Sequence, residues 1–156
     1  PGLARPGGGS GGVFIYFGAD DGLPSAPDLT LYEPGASNSF ALALANAGDT
    51  NGDGCEDLLV GSPAWNNVGQ VYLFRGSIAG MSASPASSLP GTRAGERYGQ
   101  VVAGAGDING DGYADILIGQ PDYSSLYPDR GAAWRSEAMT AAAPRKNVNG
   151  LTIMRP

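Results

Sequence analysis

The chain has 156 residues, 26 of them Gly and 12 Pro, with 42% apolar and 15% charged residues. That is a turn-rich composition of about one domain's length. The absence of His and the single Cys exclude His-based acid–base catalysis, His-ligated zinc and an internal disulfide framework. Nine Lys and Arg against fifteen Asp and Glu argue against nucleic acid as a partner, and no apolar run reaches the roughly 18 residues of a membrane span.

In chain order, residues 1–10 read as a loop, without a start Met or a charged-then-apolar leader, so the chain is read as a fragment or a processed product. "VFIYF" (13–17) is a short β-branched and aromatic run stopped by Gly18. "FALALA" (40–45) alternates large and small residues as a half-buried strand does. "GDTNGDGCED" (48–57) is a loop that leads into the apolar run "LLVG", stopped by Gly61-Ser62-Pro63. "VYLF" (71–74) repeats the first run and ends at Gly76. "GDINGDGYAD" (106–115) repeats the loop and leads into "ILIG", stopped by Gly119-Gln120-Pro121. No stretch before residue 130 has helical periodicity.

The repetition is systematic. Comparing 11–63 with 69–121 at an offset of 58 residues, without a gap, gives 19 identities in 53 positions. The identities extend far from the loops, so the chain contains two copies of one structural unit. The expected architecture is all-β: consecutive four-stranded antiparallel blades of a partial β-propeller, about two blades plus ends. The expected division is 1–10 as the loop start of a truncated blade, 11–68 and 69–126 as two repeat units, and 127–156 as a degenerate or disordered tail. "GAAWRS" (131–136) reads as a worn counterpart of "GQVYLF" (69–74), four residues late. Five of the nine basic residues lie from Arg130 onward, and the Ala-rich end containing Arg145, Lys146 and Arg155 is read as poorly ordered.

The charge is as uneven as the repeat is regular. Asp49, Asp53, Asp57, Asp107, Asp111 and Asp115 lie in two nine-residue windows, and without them nine acids balance nine bases. The net charge of −6 therefore sits in two loops, where carboxylates repel one another unless a cation lies among them. In D-x-N-x-D-G-x-x-D, positions one, three, five and nine all carry side-chain oxygen, and the Gly at six permits a sharp bend. Hard cations such as Ca²⁺ take six to eight oxygens at roughly 2.3–2.6 Å. The expected ligands are Asp49, Asn51, Asp53, Asp57 and the Cys55 backbone carbonyl in the first loop. In the second they are Asp107, Asn109, Asp111, Asp115 and the Tyr113 backbone carbonyl. Cys opposite Tyr at position seven suggests a role for the backbone alone. Mg²⁺ fits less well because it demands an octahedron and keeps its waters; a soft metal fits poorly because Cys55 is alone. An EF-hand is excluded, since position twelve is Val60 or Ile118 and the flanks are strands. The bland alternative is a pair of Asx-rich turns that bind nothing.

These motifs resemble the FG-GAP repeat of integrin α-subunit β-propellers and their bacterial relatives. The resemblance rests on Phe40-Ala41 and Tyr98-Gly99 before the loops, the full loops, the Gly-x-Pro stops, and Gly69-Gln70-Val71-Tyr72-Leu73-Phe74-Arg75-Gly76. It covers roughly residues 11 to 121. Ala41 stands for a Gly of the family pattern, and Ser62 and Gln120 stand for Ala. The resemblance implies a non-enzymatic, calcium-binding module for adhesion or protein interaction, with structural calcium at two sites and a secreted or cell-surface location. Its expected partners are further blades or other copies of the chain, and a protein or glycan ligand. The alternative is the non-catalytic accessory propeller of a larger secreted enzyme, such as a phospholipase or another hydrolase. Phe40 and Tyr98 are expected in the core, Cys55 as an inert small residue, and Trp65 in ordinary packing rather than as a contact hot spot. Arg93, Glu96 and Arg97 are expected in a solvated loop.

Overall fold

The computed structural model describes residues 11–35 and 39–122, and the strand 132–136 as backbone. Among these residues are nine strands in three antiparallel sheets. Strands β1 (Gly12–Ile15) and β2 (Leu29–Tyr32) form the first sheet. Strands β3 (Ala43–Gly48), β4 (Asp57–Ser62), β5 (Gln70–Phe74) and β6 (Ser87–Pro90) form the second, each paired with the next. Strands β7 (Val101–Gly106), β8 (Asp115–Gln120) and β9 (Ala132–Ser136) form the third. The helical content among the described residues is one 3-10 turn, Trp65–Asn67. No helix among them is long and apolar enough to cross a membrane.

The 58-residue offset maps strand onto strand. β3 and β4 become β7 and β8, while β1 and β2 match β5 and β6. The second sheet thus spans Ala43–Pro90 and crosses the midpoint between the two sequence copies, because a repeat has no intrinsic starting phase. β9 pairs Ala132 with Gln120 as β5 pairs Gln70 with Ser62, so the eroded "GAAWRS" forms its strand after a four-residue insertion. Those five residues take the place of the worn counterpart of "GQVYLF": backbone pairing tolerates side-chain drift, since the ladder uses only N–H and C=O. The rest of 127–156, and Arg145, Lys146 and Arg155 within it, lie outside the described residues.

Each sheet buries its faces against its neighbours. Val13 and Leu31 of the first sheet meet Val60, Tyr72 and Phe74 of the second, with Phe40 inserted between them. Phe40 is 3% exposed and packs edge-on against Tyr72 and Phe74, with centroids 5.7 and 6.5 Å away. The other face of the second sheet carries Ala47, Leu59, Val71 and Leu73 onto Val102, Ile116 and Ile118 of the third, with Tyr98 packed against them. Burial pushes the Tyr98 phenol up to about 12. Buried polar groups also cross the first junction: Glu33, after β2, accepts hydrogen bonds from Ser62 Oγ and Tyr72 Oη.

The alternation of "FALALA" holds, with Phe40 buried and Ala43 and Ala45 partly buried while Leu42 and Leu44 are exposed; Ala47, just beyond it, is fully buried. β3 lies so close to β7 that a Cβ on Gly104 would stand 2.4 Å from the Asn46 carbonyl oxygen, so β7 has Gly there, opposite the small Ala47 of β3. Glu96 is not solvated. It is 3% exposed and accepts a hydrogen bond from Gln120 Nε2 at 2.6 Å, because the buried amide at the end of β8 requires a partner. Arg93 and Arg97 are exposed as expected, and Arg97 pairs with Asp122. Trp65 is half-buried, with Nε1 3.0 Å from where a Gly35 Cβ would stand.

The residue after each motif aromatic has positive φ, +84° at Gly99 and +65° at Ala41. A left-handed backbone costs a non-Gly residue about 1–2 kcal/mol, offset in part by the greater freedom Gly gives the unfolded chain. Ala41→Gly is therefore expected to stabilise the fold by about 0.5–1 kcal/mol, seen as a raised thermal midpoint. An unchanged or lowered midpoint would show that Ala41 is not strained.

Candidate metal centre

The two acidic loops connect β3 to β4 and β7 to β8, after matching β-bulges at Asn46/Gly48 and Gly104/Gly106. In the first loop the Asp49 carboxylate faces the backbone. Its Oδ1 accepts N–H bonds from Gly52 (2.7 Å), Asp53 (3.1 Å) and Asn51 (3.3 Å), and its Oδ2 accepts one from Gly54 (2.7 Å). Asp107 repeats this: Oδ1 accepts from Gly110 (2.6 Å) and Asp111 (3.1 Å), and Oδ2 from Gly112 (2.8 Å). Gly52, Gly54, Gly110 and Gly112 all have φ between +76° and +90°, which is how four successive N–H groups turn toward one side chain.

Positions three and five are linked in both copies. Asn51 Nδ2 donates to Asp53 Oδ2, and Asn109 Nδ2 to Asp111 Oδ2, each at 2.8 Å. The opposite carboxylate oxygen accepts from the residue two places on, Cys55 N–H at 2.9 Å and Tyr113 N–H at 3.0 Å. Position nine differs in being buried, with Asp57 2% and Asp115 1% exposed. Asp57 Oδ2 accepts from Thr50 N–H (3.1 Å) and from the Thr50 hydroxyl, and its Oδ1 accepts from Gly76 N–H at 3.0 Å. Asp115 Oδ2 accepts from Ile108 N–H at 2.8 Å. The ninth Asp therefore ties the start of a strand back to its loop, and in the first copy also to the end of β5.

All eight expected side chains thus lie in two equivalent loops. Among the described residues no three His, Cys, Asp or Glu side chains stand close enough together to hold a metal as they lie. What fits a hard cation is the chemistry of the donors: every side chain at positions one, three, five and nine presents oxygen, and none presents nitrogen or sulfur alone. The electrostatics agree. The Gly54 N–H, aided by those of Gly52, Asp53 and Asn51, holds Asp49 below the ordinary 3.8, against the opposing effect of burial. The Gly112 N–H leads the same effect at Asp107. Partial burial, then the carboxylates Asp53, Asp49 and Asp57, push the Cys55 thiol above 9.0, so it stays protonated and unreactive at neutral pH.

The loops also touch each other. Ala114 N–H donates to the Asp49 carbonyl at 2.9 Å. The Tyr113 side chain covers the first loop, its Cε1 standing 2.9 Å from where a Gly52 Cβ would be. The expectation that position seven acts through its backbone alone is incomplete, because adjacent sheets bring the loops side by side and a repeat read one copy at a time hides that contact.

Adjacent antiparallel meanders, two of which begin after a positive-φ residue and carry an acidic loop between their first and second strands, define a class. Residues 49–118 match the FG-GAP-like repeat and belong to that repeat family, and the sheets are blades of a β-propeller. It is similar to integrin α subunits: 34% identical over 122 residues to integrin alpha-6 of Gallus gallus, and 36% over 120 residues to integrin alpha-PS5 of Drosophila melanogaster. It is 30% identical over 162 residues to integrin alpha-E of Homo sapiens. These alignments cover 77%, 72% and 93% of this chain, but 11%, 12% and 14% of those relatives, so the chain spans about a tenth of their length.

Depressed Asp49 and Asp107 values mean that the folded state holds these protons more weakly than the unfolded chain. Their contribution to stability is present above about 3.8 and is lost as pH falls through the lower folded values. In chelator, an Asp49→Asn/Asp107→Asn variant is expected to show a flatter loss of stability below pH about 4 than the parent. Parallel acid-unfolding curves would refute the backbone bonds as the cause.

Proposed function

We propose that this chain is part of a calcium-stabilised, non-catalytic β-propeller that presents a surface for adhesion or protein recognition outside the cell. The observation that carries it is the duplicated all-oxygen loop, placed at the same strand junction of two adjacent blades, in a chain similar to integrin α subunits. Asp49, Asn51, Asp53, Asp57 and the Cys55 carbonyl would hold one ion. Asp107, Asn109, Asp111, Asp115 and the Tyr113 carbonyl would hold the other. A bound Ca²⁺ supplies the positive charge that relieves repulsion among three carboxylates per loop.

The chain's own part in this is positional. Backbone N–H groups hold Asp49 and Asp107 below the ordinary carboxylate range and fix their orientation in the loops. Buried Asp57 and Asp115 fix the strand starts to the loops. A clip of this kind sets the spacing of β3 with β4 and of β7 with β8, which in turn holds the blade faces together. Affinities of ~10⁻⁴–10⁻³ M suit extracellular modules and leave such sites empty in a resting cytosol, which supports a secreted or cell-surface location. The similarity to integrin α subunits supports an adhesive or recognition role with a protein or glycan ligand, and further blades as structural partners. The lack of His and the engagement of the loop acids in backbone bonds support a non-catalytic role.

Thermal unfolding tests this directly. Millimolar CaCl₂, ~1–10 times a dissociation constant in that extracellular range, is expected to stabilise the fold by about 0.4–1.4 kcal/mol per site and so raise the midpoint over that in excess chelator. Asp53→Ala/Asp111→Ala should abolish the rise. A calcium-independent midpoint in folded protein would reduce the loops to turns.

A further inference from the structure

The contact between the loops is one-sided. From the second loop, Ala114 N–H reaches the Asp49 carbonyl at 2.9 Å, and Ala114 Cβ stands 2.6 Å from where a Gly48 Cβ would be. The Tyr113 ring edge lies over Gly52, with Cε1 and Cδ1 at 2.9 and 3.4 Å from a Cβ built there. Gly52 is the residue whose N–H makes one of the two shortest bonds to the Asp49 carboxylate. At the matching glycines of the second loop, Gly106 and Gly110, an added Cβ would meet nothing within 4 Å among the described residues. The second loop braces the first, and no described residue braces the second in the same way.

Resting on the calcium reading above, we infer that Tyr113 is a positioning residue for the neighbouring blade's ion site. Its ring and the Ala114 N–H hold residues 48–52 in place, so the first loop loses less freedom when it binds a cation. A cation in the second loop, which fixes Tyr113 and Ala114, strengthens binding in the first, and by linkage the reverse holds by the same factor. Position seven thus has two uses, its carbonyl toward its own loop and its side chain toward the preceding one. Cys55, at the same position of the first loop, has a much smaller side chain with which to make such a contact.

Calorimetric titration of the whole chain with CaCl₂ separates the two sites through single-site variants. Asp111→Ala leaves the first loop as the binder, and Asp53→Ala leaves the second. In the Asp111→Ala background, adding Tyr113→Ala is expected to weaken binding by about 3–10-fold, in the lower range of site-to-site couplings. Adding Tyr113→Phe instead should leave affinity within about twofold, because the ring makes the contact. In the Asp53→Ala background, Tyr113→Ala should weaken binding by a smaller factor than in the first loop, since the carbonyl of position seven is retained. Tyr113 is 41% exposed, so its truncation leaves the core intact, and circular dichroism checks this. Equal weakening of both loops, or an unaffected first loop, overturns the inference while leaving calcium binding standing. Absence of any binding heat in the parent chain, with folded protein, overturns the calcium reading and the coupling together.

Discussion

The close approach of neighbouring sheets is the constraint on which the rest of this structure depends. Several backbones meet where no side chain fits. A Cβ on Gly61 would stand 2.1 Å from the Gly99 carbonyl oxygen, and one on Gly69 would stand 2.2 Å from that of Tyr98. On the first junction, Gly11 meets the Phe40 carbonyl at 2.2 Å in the same sense. These distances are incompatible with any residue but Gly. They bring β3 against β7 and let Leu59, Val71 and Leu73 reach Val102, Ile116 and Ile118. The apolar contact that follows is the main favourable term in stacking the blades.

The motif aromatics belong to the same constraint. Phe40 and Tyr98 each precede a positive-φ residue that turns the chain into the first strand of a sheet. Their carbonyls receive the glycines of the previous blade, and Phe40's ring fills the space between Leu31, Tyr72 and Phe74. One short segment therefore sets both the entry into a blade and its distance from the preceding one. The buried Glu33 with Ser62 and Tyr72, and the buried Glu96 with Gln120, add polar bonds at the two junctions. Such bonds favour one register of one sheet over the next, because misplacement would leave buried polar groups unsatisfied.

Once the sheets stand this close, the acidic loops cannot be independent. Each is internally organised by backbone N–H groups converging on its first Asp, which works in any single copy. Their adjacency is a property of the stack. It places Tyr113 and Ala114 against Gly48, Asp49 and Gly52, and joins what the repeat presents as two separate motifs. A propeller gains from this in a general way: local clips that touch can act as a series around the ring, in the manner of nearest-neighbour coupling in repeat proteins.

The sequence by itself determined the repeat, the donor atoms and the strands next to the loops, but not β2 or β6. Period-two runs, Gly-x-Pro stops and the 58-residue offset locate β3 to β5 and β7 to β8, because strand and turn chemistry is local. The loop pattern D-x-N-x-D-G-x-x-D names its oxygens for the same reason. What only the tertiary structure decided is which face of each strand is buried and what meets across a junction. Ala47 rather than Leu44 faces inward where β7 comes close, with Gly104 opposite it. Glu96, read from its Arg-flanked segment as solvated, is buried because Gln120 lies opposite it. Tyr113 reaches the other loop because two blades stack side by side. None of these can be seen in one copy of a repeat, since each arises from residues roughly 20–70 places apart whose meeting depends on inter-sheet packing rather than on local propensity.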